Sequence, residues 1–347
     1  MIAGCADTYE VRGRQIVVEA DAGLEMCAGT LEHMDRFVER FAAELGLPLT
    51  NEPWIDFRWL TPEHYAVRNP CGGMPACALV RTVYASEIPH EHELVHSAAS
   101  DLGLAHPFFV EGLAMAFEGG TRDARPTDDE PADEGDEVEA QPRVLQALRA
   151  DYMWLPGEYY LLAGAFTRYL IDRFGLRLHL EFYRRTWYGD SYRTLAREFA
   201  AVFGATVEEV VHDFEAERVD CHYAGWRFKL LECAAPEVTW DGERLARNFA
   251  LDCDDAAAVG AVGVDVRTTH SIEVAEAGHF RVELREEGGV RLTLGSCGGC
   301  ERPALARLRA ADGPQELELP AGRYFLRAET AAAEPVTFGV VMERIDE

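Results

Sequence analysis

The chain has 347 residues, of which 48% are hydrophobic, 27% charged and 10% aromatic, and this composition is that of a folded globular protein with two or three packed units. The 33 Lys and Arg residues against 61 Asp and Glu residues leave a net charge of −28, which disfavours nucleic acid as a partner because a polyanion is repelled by such a field. No uninterrupted apolar stretch approaches the roughly twenty residues of a membrane-spanning helix, so no span is expected.

The N-terminal part of the chain predicts strands mixed with helices. Apolar residues at helical spacing predict a first helix that Gly46 ends, and period-two runs predict strands. Gly103 separates two further short helices, the second with Pro107 in its first turn. The predicted strands are residues 9–20, 54–60 and 77–85, and the predicted helices are residues 30–45, 91–102 and 107–118.

The rest of the chain changes character twice. Residues 122–143 are acidic, contain prolines and are almost free of apolar side chains, which predicts a flexible surface insertion. From about residue 235 onward, apolar residues alternate in short runs between glycine turns, which predicts a β-sandwich. Between these two segments lie four predicted amphipathic helices, at residues 159–174, 176–186, 191–203 and 206–218.

The nine cysteines indicate an oxidising compartment. Two close pairs, Cys71 with Cys77 and Cys297 with Cys300, predict short-loop disulfides rather than a four-cysteine zinc site. The second pair follows a predicted strand and not the start of a helix that would lower a thiol pKa, so a structural role is favoured over a redox role.

The segment Ile2-Ala3-Gly4-Cys5 resembles the lipobox of bacterial lipoproteins. The resemblance implies that Cys5 is lipidated after cleavage, which would be the chain's only attachment to a membrane. A lipobox follows a basic and apolar leader, and here only Met1 precedes it. Either the start has been trimmed or the match arose by chance.

The segment HELVH contains two histidines one helical turn apart, His92 and His96. At this spacing the two side chains project from one face of a helix with their Cβ atoms about 6 Å apart, close enough to share a metal ion. Glu93 lies beside that face and can accept a proton from a water molecule that zinc has made acidic. This combination of groups can hydrolyse an amide.

A third ligand is expected on the next predicted helix. Glu111 follows in the segment FFVEGLA, and two imidazoles with one carboxylate leave zinc an open coordination position. The sequence therefore predicts a catalytic Zn²⁺ site at His92, His96 and Glu111.

HELVH followed by FFVEGLAMAFEG resembles the gluzincin metallopeptidases. The resemblance implies an α+β fold with a two-lobed catalytic domain, zinc held by His92, His96 and Glu111, and Glu93 as general base and acid. It also implies a tyrosine that stabilises the oxyanion, for which Tyr160 is the first candidate and Tyr159 the second. The alternative for both tyrosines is ordinary core or cleft packing.

The resemblance and the composition together predict four regions. Residues 1–121 form an α/β lobe with the zinc-binding helices, residues 122–143 the acidic insertion, residues 144–234 a helical lobe that closes the cleft, and residues 235–347 the sandwich. In the last region AGHFRVEL and LPAGRYFLRAE resemble the small sandwich domains appended to secreted bacterial peptidases.

Polar residues near the motif have several possible roles. Asp101 is the candidate for orienting His96 through its second ring nitrogen. Glu118 either does the same for Glu111 or faces solvent. For His90 and His106 the favoured roles are helix cap, surface group or neighbour of the ligands. A role as metal ligand is the less favoured alternative.

The predicted function is that of a zinc peptidase acting on a polypeptide outside the cytoplasm, secreted or held in a bacterial cell envelope. The G-x-M-E-N motif by which zinc aminopeptidases hold a substrate amine is absent, since Gly73-Met74-Pro75 does not supply it. An endopeptidase, with the strand at residues 77–85 pairing with extended substrate, is therefore favoured. Two alternatives stay open: a non-catalytic binding or scaffold protein of the cell envelope, and metal-assisted hydrolysis of a bond other than a peptide bond.

Overall fold

A computed structural model gives the fold of the chain. It describes residues 8–49, 52–72, 74, 76–118, 143–150, 153–216, 229–262, 264–286, 289–298, 306–331 and 334–345. Within these ranges the protein is α+β, with helices and three mostly antiparallel sheets. None of the helices in the described ranges combines the length and the apolar character needed to cross a membrane.

The N-terminal region is a five-stranded mixed sheet covered by helices. The sheet order is β1-β2-β3-β5-β4, in which β2, β3 and β5 run parallel and the two outer pairs are antiparallel. Helix α3 packs against β4, β5 and α1. The elements are β1 Thr8–Arg12, β2 Ile16–Asp21, α1 Thr30–Leu45, β3 Ile55–Trp59, α2 Pro62–Arg68, β4 Ala76–Leu79, β5 Thr82–Ala85 and α3 Glu91–Ala98.

Two predicted strands are hairpins instead. Residues 9–20 reverse at Gly13, where the Asp35 carboxylate accepts backbone N–H groups from the turn, including that of Gln15 at 2.8 Å. A Cβ at Gly13 would lie 2.3 Å from Asp35 Oδ2, so a larger residue there would displace the carboxylate that accepts the hydrogen bonds of the turn. Residues 77–85 reverse at Val80, whose φ is 55°. Both turns depend on contacts or backbone angles that strand periodicity does not encode.

Six helices follow in the described residues, and the four predicted after the acidic segment are present. The predicted helix at 91–102 ends at Ala98 and continues as the 3-10 turn Ser100–Leu102. Two helices were not predicted, α2 and α5. The helices are α4 Pro107–Phe117, α5 Val144–Arg149, α6 Tyr160–Phe174, α7 Leu176–Arg185, α8 Tyr192–Phe203 and α9 Val207–Ala216.

The C-terminal region is the predicted β-sandwich. Two antiparallel sheets, β11-β10-β13-β8-β7 and β12-β9-β14-β6, enclose one apolar core to which both contribute alternate residues, among them Ile272, Val282 and Val340. The strands are β6 Arg244–Leu251, β7 Val259–Ala261, β8 Asp265–Val274, β9 Gly278–Glu286, β10 Arg291–Ser296, β11 Ala306–Leu308, β12 Gln315–Leu319, β13 Gly322–Thr330 and β14 Val336–Arg344.

The chain divides into two compact units, and the sandwich shares its unit with the N-terminal sheet. Cys27 and Cys253 form a disulfide between these two parts, and Thr30 at the start of α1 exchanges hydrogen bonds of 2.9 Å with the backbone of Gly260 in β7. The other unit contains α4 to α9. Residues 122–142 of the predicted insertion lie outside the described residues.

Three disulfides are present in the described residues. The predicted pair Cys71–Cys77 is confirmed. The predicted pairing of Cys297 with Cys300 is wrong, because Cys297 bonds to Cys233, 64 residues earlier in the chain. Cys5, Cys221 and Cys300 lie outside the described residues. The disulfides indicate an extracytoplasmic location, since cytosolic thiols are kept reduced.

Candidate metal centre

Helix α3 holds His92 and His96 on one face because its opposite side is anchored in the core. Leu94, Val95 and Ala98 are buried, whereas both histidines are half-buried. The Nε2 atoms of His92 and His96 lie 3.1 Å apart, and the ring centroids are 4.7 Å apart. The two imidazoles therefore present their ring nitrogens to a common point.

The donor set fits zinc. Two nitrogens on a tetrahedral zinc with bonds of about 2.0–2.1 Å lie about 3.3 Å apart, close to the separation of the two Nε2 atoms. One ligand atom from each of His92, His96 and Glu111 lies within 4.8 Å of the other two. Two imidazoles and one carboxylate are the ligands of catalytic zinc sites that keep a position open.

Glu111 is positioned by the local structure of α4. His106 caps the helix, its Nδ1 accepting the Phe108 N–H at 3.3 Å, and Pro107 occupies the first turn. Gly112, beside Glu111, lets α4 approach α6 closely, since a Cβ there would lie 2.3 Å from Thr167 Oγ1. The Glu111 carboxylate therefore lies on a helix whose first turn is capped by His106 and whose distance from α6 depends on Gly112.

Glu93 is a buried carboxylate, with 7% of its surface exposed. Tyr65 and His90 interact electrostatically with Glu93, and no sequence signal indicated that they would. Burial and the charge of Glu93 raise the pKa of Tyr65 to about 12, and the Tyr65 hydroxyl donates to the Met74 carbonyl at 2.9 Å. His90 has its Nδ1 buried without a hydrogen-bond partner among the described residues, and burial lowers its pKa despite Glu93.

Two tyrosines of the helical unit interact electrostatically with Glu111. Burial, and next the Glu111 charge, raise the pKa of Tyr183 on α7 and of Tyr188 just after it. The Tyr188 hydroxyl is buried without a hydrogen-bond partner in the described part of the chain. Tyr160, the candidate from the sequence, begins α6 with a half-buried side chain, and Tyr159 before it is buried. The oxyanion role of Tyr160 or Tyr159 stays a prediction, and neither Tyr183 nor Tyr188 has a sequence signal that would have selected it.

The first residue of α3, Glu91, is held by the sandwich. Arg267 on β8 forms an ion pair with Glu91 Oε1, and His33 Nε2 lies 2.8 Å from the same oxygen. Burial raises the pKa of Glu91, but the Arg267 and His33 charges outweigh burial, so the net pKa lies well below its ordinary value. The helix that carries His92 is therefore anchored at its first residue by a charge on the sandwich.

Three other polar residues were predicted to lie near the metal ligands: Asp101, Glu118 and His106. Asp101 is exposed in the 3-10 turn after α3, and its role in orienting His96 stays a prediction. Glu118 is half-buried at the end of α4. His106 is a helix cap, one of the alternatives left open by the sequence.

No family model matches the sequence, and a search of curated proteins gives no match. Similar solved structures include the pre-peptidase C-terminal domain of a collagenase from Bacillus anthracis, at 12% identity over 31% of this chain and 94% of that chain, with a TM-score of 0.25. PliG from Aeromonas hydrophila, a periplasmic inhibitor of g-type lysozyme, is 15% identical over 31% of this chain and 93% of that chain, with a TM-score of 0.23. The C-terminal CBM6 of LamC from Zobellia galactanivorans is 16% identical over 25% of this chain and 79% of that chain, with a TM-score of 0.19. These similarities carry no argument about activity.

Proposed function

We propose that the chain is a zinc-dependent peptidase with a gluzincin-like two-lobed catalytic domain. The observation that carries the proposal is the pair of Nε2 atoms of His92 and His96, which face each other at 3.1 Å on a helix anchored in the core. Glu111 supplies a carboxylate whose ligand atom lies within 4.8 Å of both. This arrangement supports Zn²⁺ as the cofactor.

The chain's own residues divide the work of hydrolysis. Bound zinc would act as a Lewis acid and make a water nucleophile available near neutral pH. His92, His96 and Glu111 hold the ion. Glu93, buried beside the histidines, accepts the proton from the attacking water and returns it to the leaving amine. A tyrosine hydroxyl near the site would donate a hydrogen bond to the oxyanion, and Tyr160 is the candidate that the resemblance implies.

An edge strand beside α3 supports endopeptidase over aminopeptidase activity. Of the predicted substrate-pairing segment at residues 77–85, β5 is enclosed by β3 and β4, whereas β4 pairs only with β5 among the described strands. The Cys71–Cys77 disulfide holds β4 in place, and α3 packs against it. An extended substrate can add to this edge through its backbone, with no need for a free amino terminus.

Replacing Glu93 tests the proposal. Glu93→Gln should keep one zinc per chain and lose hydrolysis of a casein-type substrate by about 10²–10⁴-fold, because the general base is gone. Glu87→Gln is the matched control, an exposed carboxylate shortly before the same helix, and should retain activity. Full activity of Glu93→Gln would remove Glu93 from the mechanism. Wild-type protein that takes up no zinc at neutral pH after reconstitution would favour the binding or scaffold alternative.

We also propose that the protein is secreted or belongs to a bacterial cell envelope, with Cys5 as the lipid-bearing residue in the second case. The three disulfides support an oxidising setting. Mass spectrometry of the N-terminal peptide from the native source decides between a free and a lipidated Cys5.

A further inference from the structure

The sandwich and the N-terminal sheet meet where the chain enters α1. Residues 27–30 run along residues 258–260 and donate two backbone hydrogen bonds to them, of 3.1 and 2.9 Å. The Thr30 side chain adds the reciprocal pair of hydrogen bonds described above, and the Cys27–Cys253 disulfide links the two segments covalently. We call this contact between the two segments the junction.

Gly29 allows the two backbones of the junction to approach closely. A Cβ at Gly29 would lie 2.3 Å from the carbonyl oxygen of Ala256 and 2.7 Å from that of Ala258. Both oxygens belong to the backbone, so they cannot move aside as the end of a flexible side chain can. The φ of Gly29 is −86°, which any residue adopts. Glycine is therefore required at this position for space, and the start of α1 is held directly against the sandwich.

The junction lies one helical turn from the groups that hold α3. Thr30 and His33 are three residues apart on α1 and are therefore neighbours on its surface. His33 Nε2 lies 2.8 Å from Oε1 of Glu91, the first residue of α3. Arg267, which pairs with the same oxygen, lies opposite Val259 of β7 in the register of β7 and β8. The sandwich thus reaches Glu91 by two routes, directly from β8 and through the first turn of α1.

The position of Glu91 matters for the metal centre because His92 is the next residue of the chain. Helices α1 and α3 also pack against each other along their lengths. Groups that orient metal ligands contribute to affinity for the metal, and their loss typically costs about 10–100-fold. A shift of the first turn of α3 would move the His92 imidazole relative to the other ligands.

We propose that the sandwich is a positioning part of the metal centre, which acts through the junction and His33 on the first turn of α3. The inference rests on the proposed zinc site and adds a requirement to it, namely that tight binding of zinc needs an intact junction. His33 is a positioning residue, since it acts on His92 through Glu91. A sandwich that was only tethered to the catalytic region would leave zinc affinity unchanged when the contact between them is disturbed.

Two small changes on the α1 side test the inference. Gly29→Ala places a methyl group against the backbone of the sandwich and should lower zinc affinity about three- to tenfold, less than the loss of a group that contacts a ligand. Gly298→Ala is the matched control in the sandwich, because a Cβ there meets no atom of the described residues within 4 Å. His33→Leu should lower the affinity by a similar factor, whereas His33→Gln can still donate to Glu91 and should retain most of it. Competition with a chelator measures all four affinities.

Amide hydrogen exchange of the zinc-free proteins supplies a readout that needs no metal. Gly29→Ala and His33→Leu should speed exchange in α3 relative to the wild type, because the helix has lost part of its support. Gly298→Ala and His33→Gln should leave it unchanged. A general loss of stability would instead speed exchange in β13 of the sandwich as much as in α3.

The two readouts separate this inference from the proposed zinc site. If Gly29→Ala and His33→Leu bind zinc as tightly as the wild type, the inference is overturned and the zinc site stands. If Gly298→Ala loses as much affinity as Gly29→Ala, the junction has no special part and the inference is again overturned. If the wild type takes up no zinc, the proposed metal centre fails and exchange in α3 decides: faster exchange confined to Gly29→Ala and His33→Leu supports the positioning of α3 by the sandwich, and unchanged exchange overturns it.

Discussion

Replacing Arg267 by methionine should destabilise the protein and weaken the anchoring of α3 to the sandwich. The variant leaves the Glu91 carboxylate with His33 as its only other partner at the shared oxygen in the described structure. The side chains of Arg267 and Glu91 are only 16% and 14% exposed, so water replaces the lost guanidinium poorly. Removing one partner of a fully buried pair costs about 3–5 kcal/mol, and partial exposure lowers our expectation to about 2–3 kcal/mol.

Urea unfolding of the zinc-free protein, followed by circular dichroism, measures this loss directly. Arg281→Met is the matched control, because Arg281 also lies on a sandwich strand but its ion pair with Glu316 is 51% and 62% exposed. That change should cost no more than about 0.5 kcal/mol. The double variant Arg267→Met with Glu91→Gln should recover part of the loss, because no uncompensated charge remains.

The zinc affinity of Arg267→Met supplies a second measurement. Since Glu91 precedes His92 at the start of α3, release of Glu91 should lower the affinity for zinc several-fold while the donor set stays complete. If Arg267→Met unfolds at the same urea concentration as Arg281→Met and binds zinc like the wild type, the ion pair does not anchor the helix and the reasoning is refuted.

Three further predictions follow from the helical unit. Gly112→Ala should push α4 away from α6 and lower zinc affinity at least tenfold, as measured by competition with a chelator; unchanged affinity would show that helix depth does not position the third ligand. Burial lowers the pKa of His106 and of His179 from 6.5 to about 4, so the unfolded state binds more protons between these pH values and stability falls as pH falls through that window. Each histidine should account for about 3 kcal/mol between pH 7 and pH 4 in zinc-free protein, and His179→Phe should flatten the pH dependence; an unaltered slope would contradict this assignment. Because the proposed role of Tyr160 is to donate a hydrogen bond to the oxyanion, Tyr160→Phe should reduce kcat by about 10–100-fold with little change in KM; an unchanged kcat would leave Tyr160 with a packing role.

Local elements were predictable where the physical cause is local. Helix α1 has the bounds expected from its periodicity, Thr30–Leu45, because one amphipathic face and the left-handed Gly46 are both encoded within a few residues. The hairpin at Gly13 was missed because the carboxylate that fills its turn comes from Asp35, on the following helix. The Cys297 disulfide was mispredicted for the same reason, since closeness in sequence does not decide which thiols meet.

The residues of the candidate site show the same difference between local and long-range causes. The sequence by itself determined that His92 and His96 share one face, because four residues make about one turn of any α-helix. The sequence also predicted Glu111, but only the tertiary structure brings a ligand atom of Glu111 within 4.8 Å of those of both histidines and pairs Arg267 of the sandwich with the first residue of their helix. Helical periodicity acts over a few residues, whereas these positions are set by the packing of side chains and by ion pairs between segments that lie far apart along the chain.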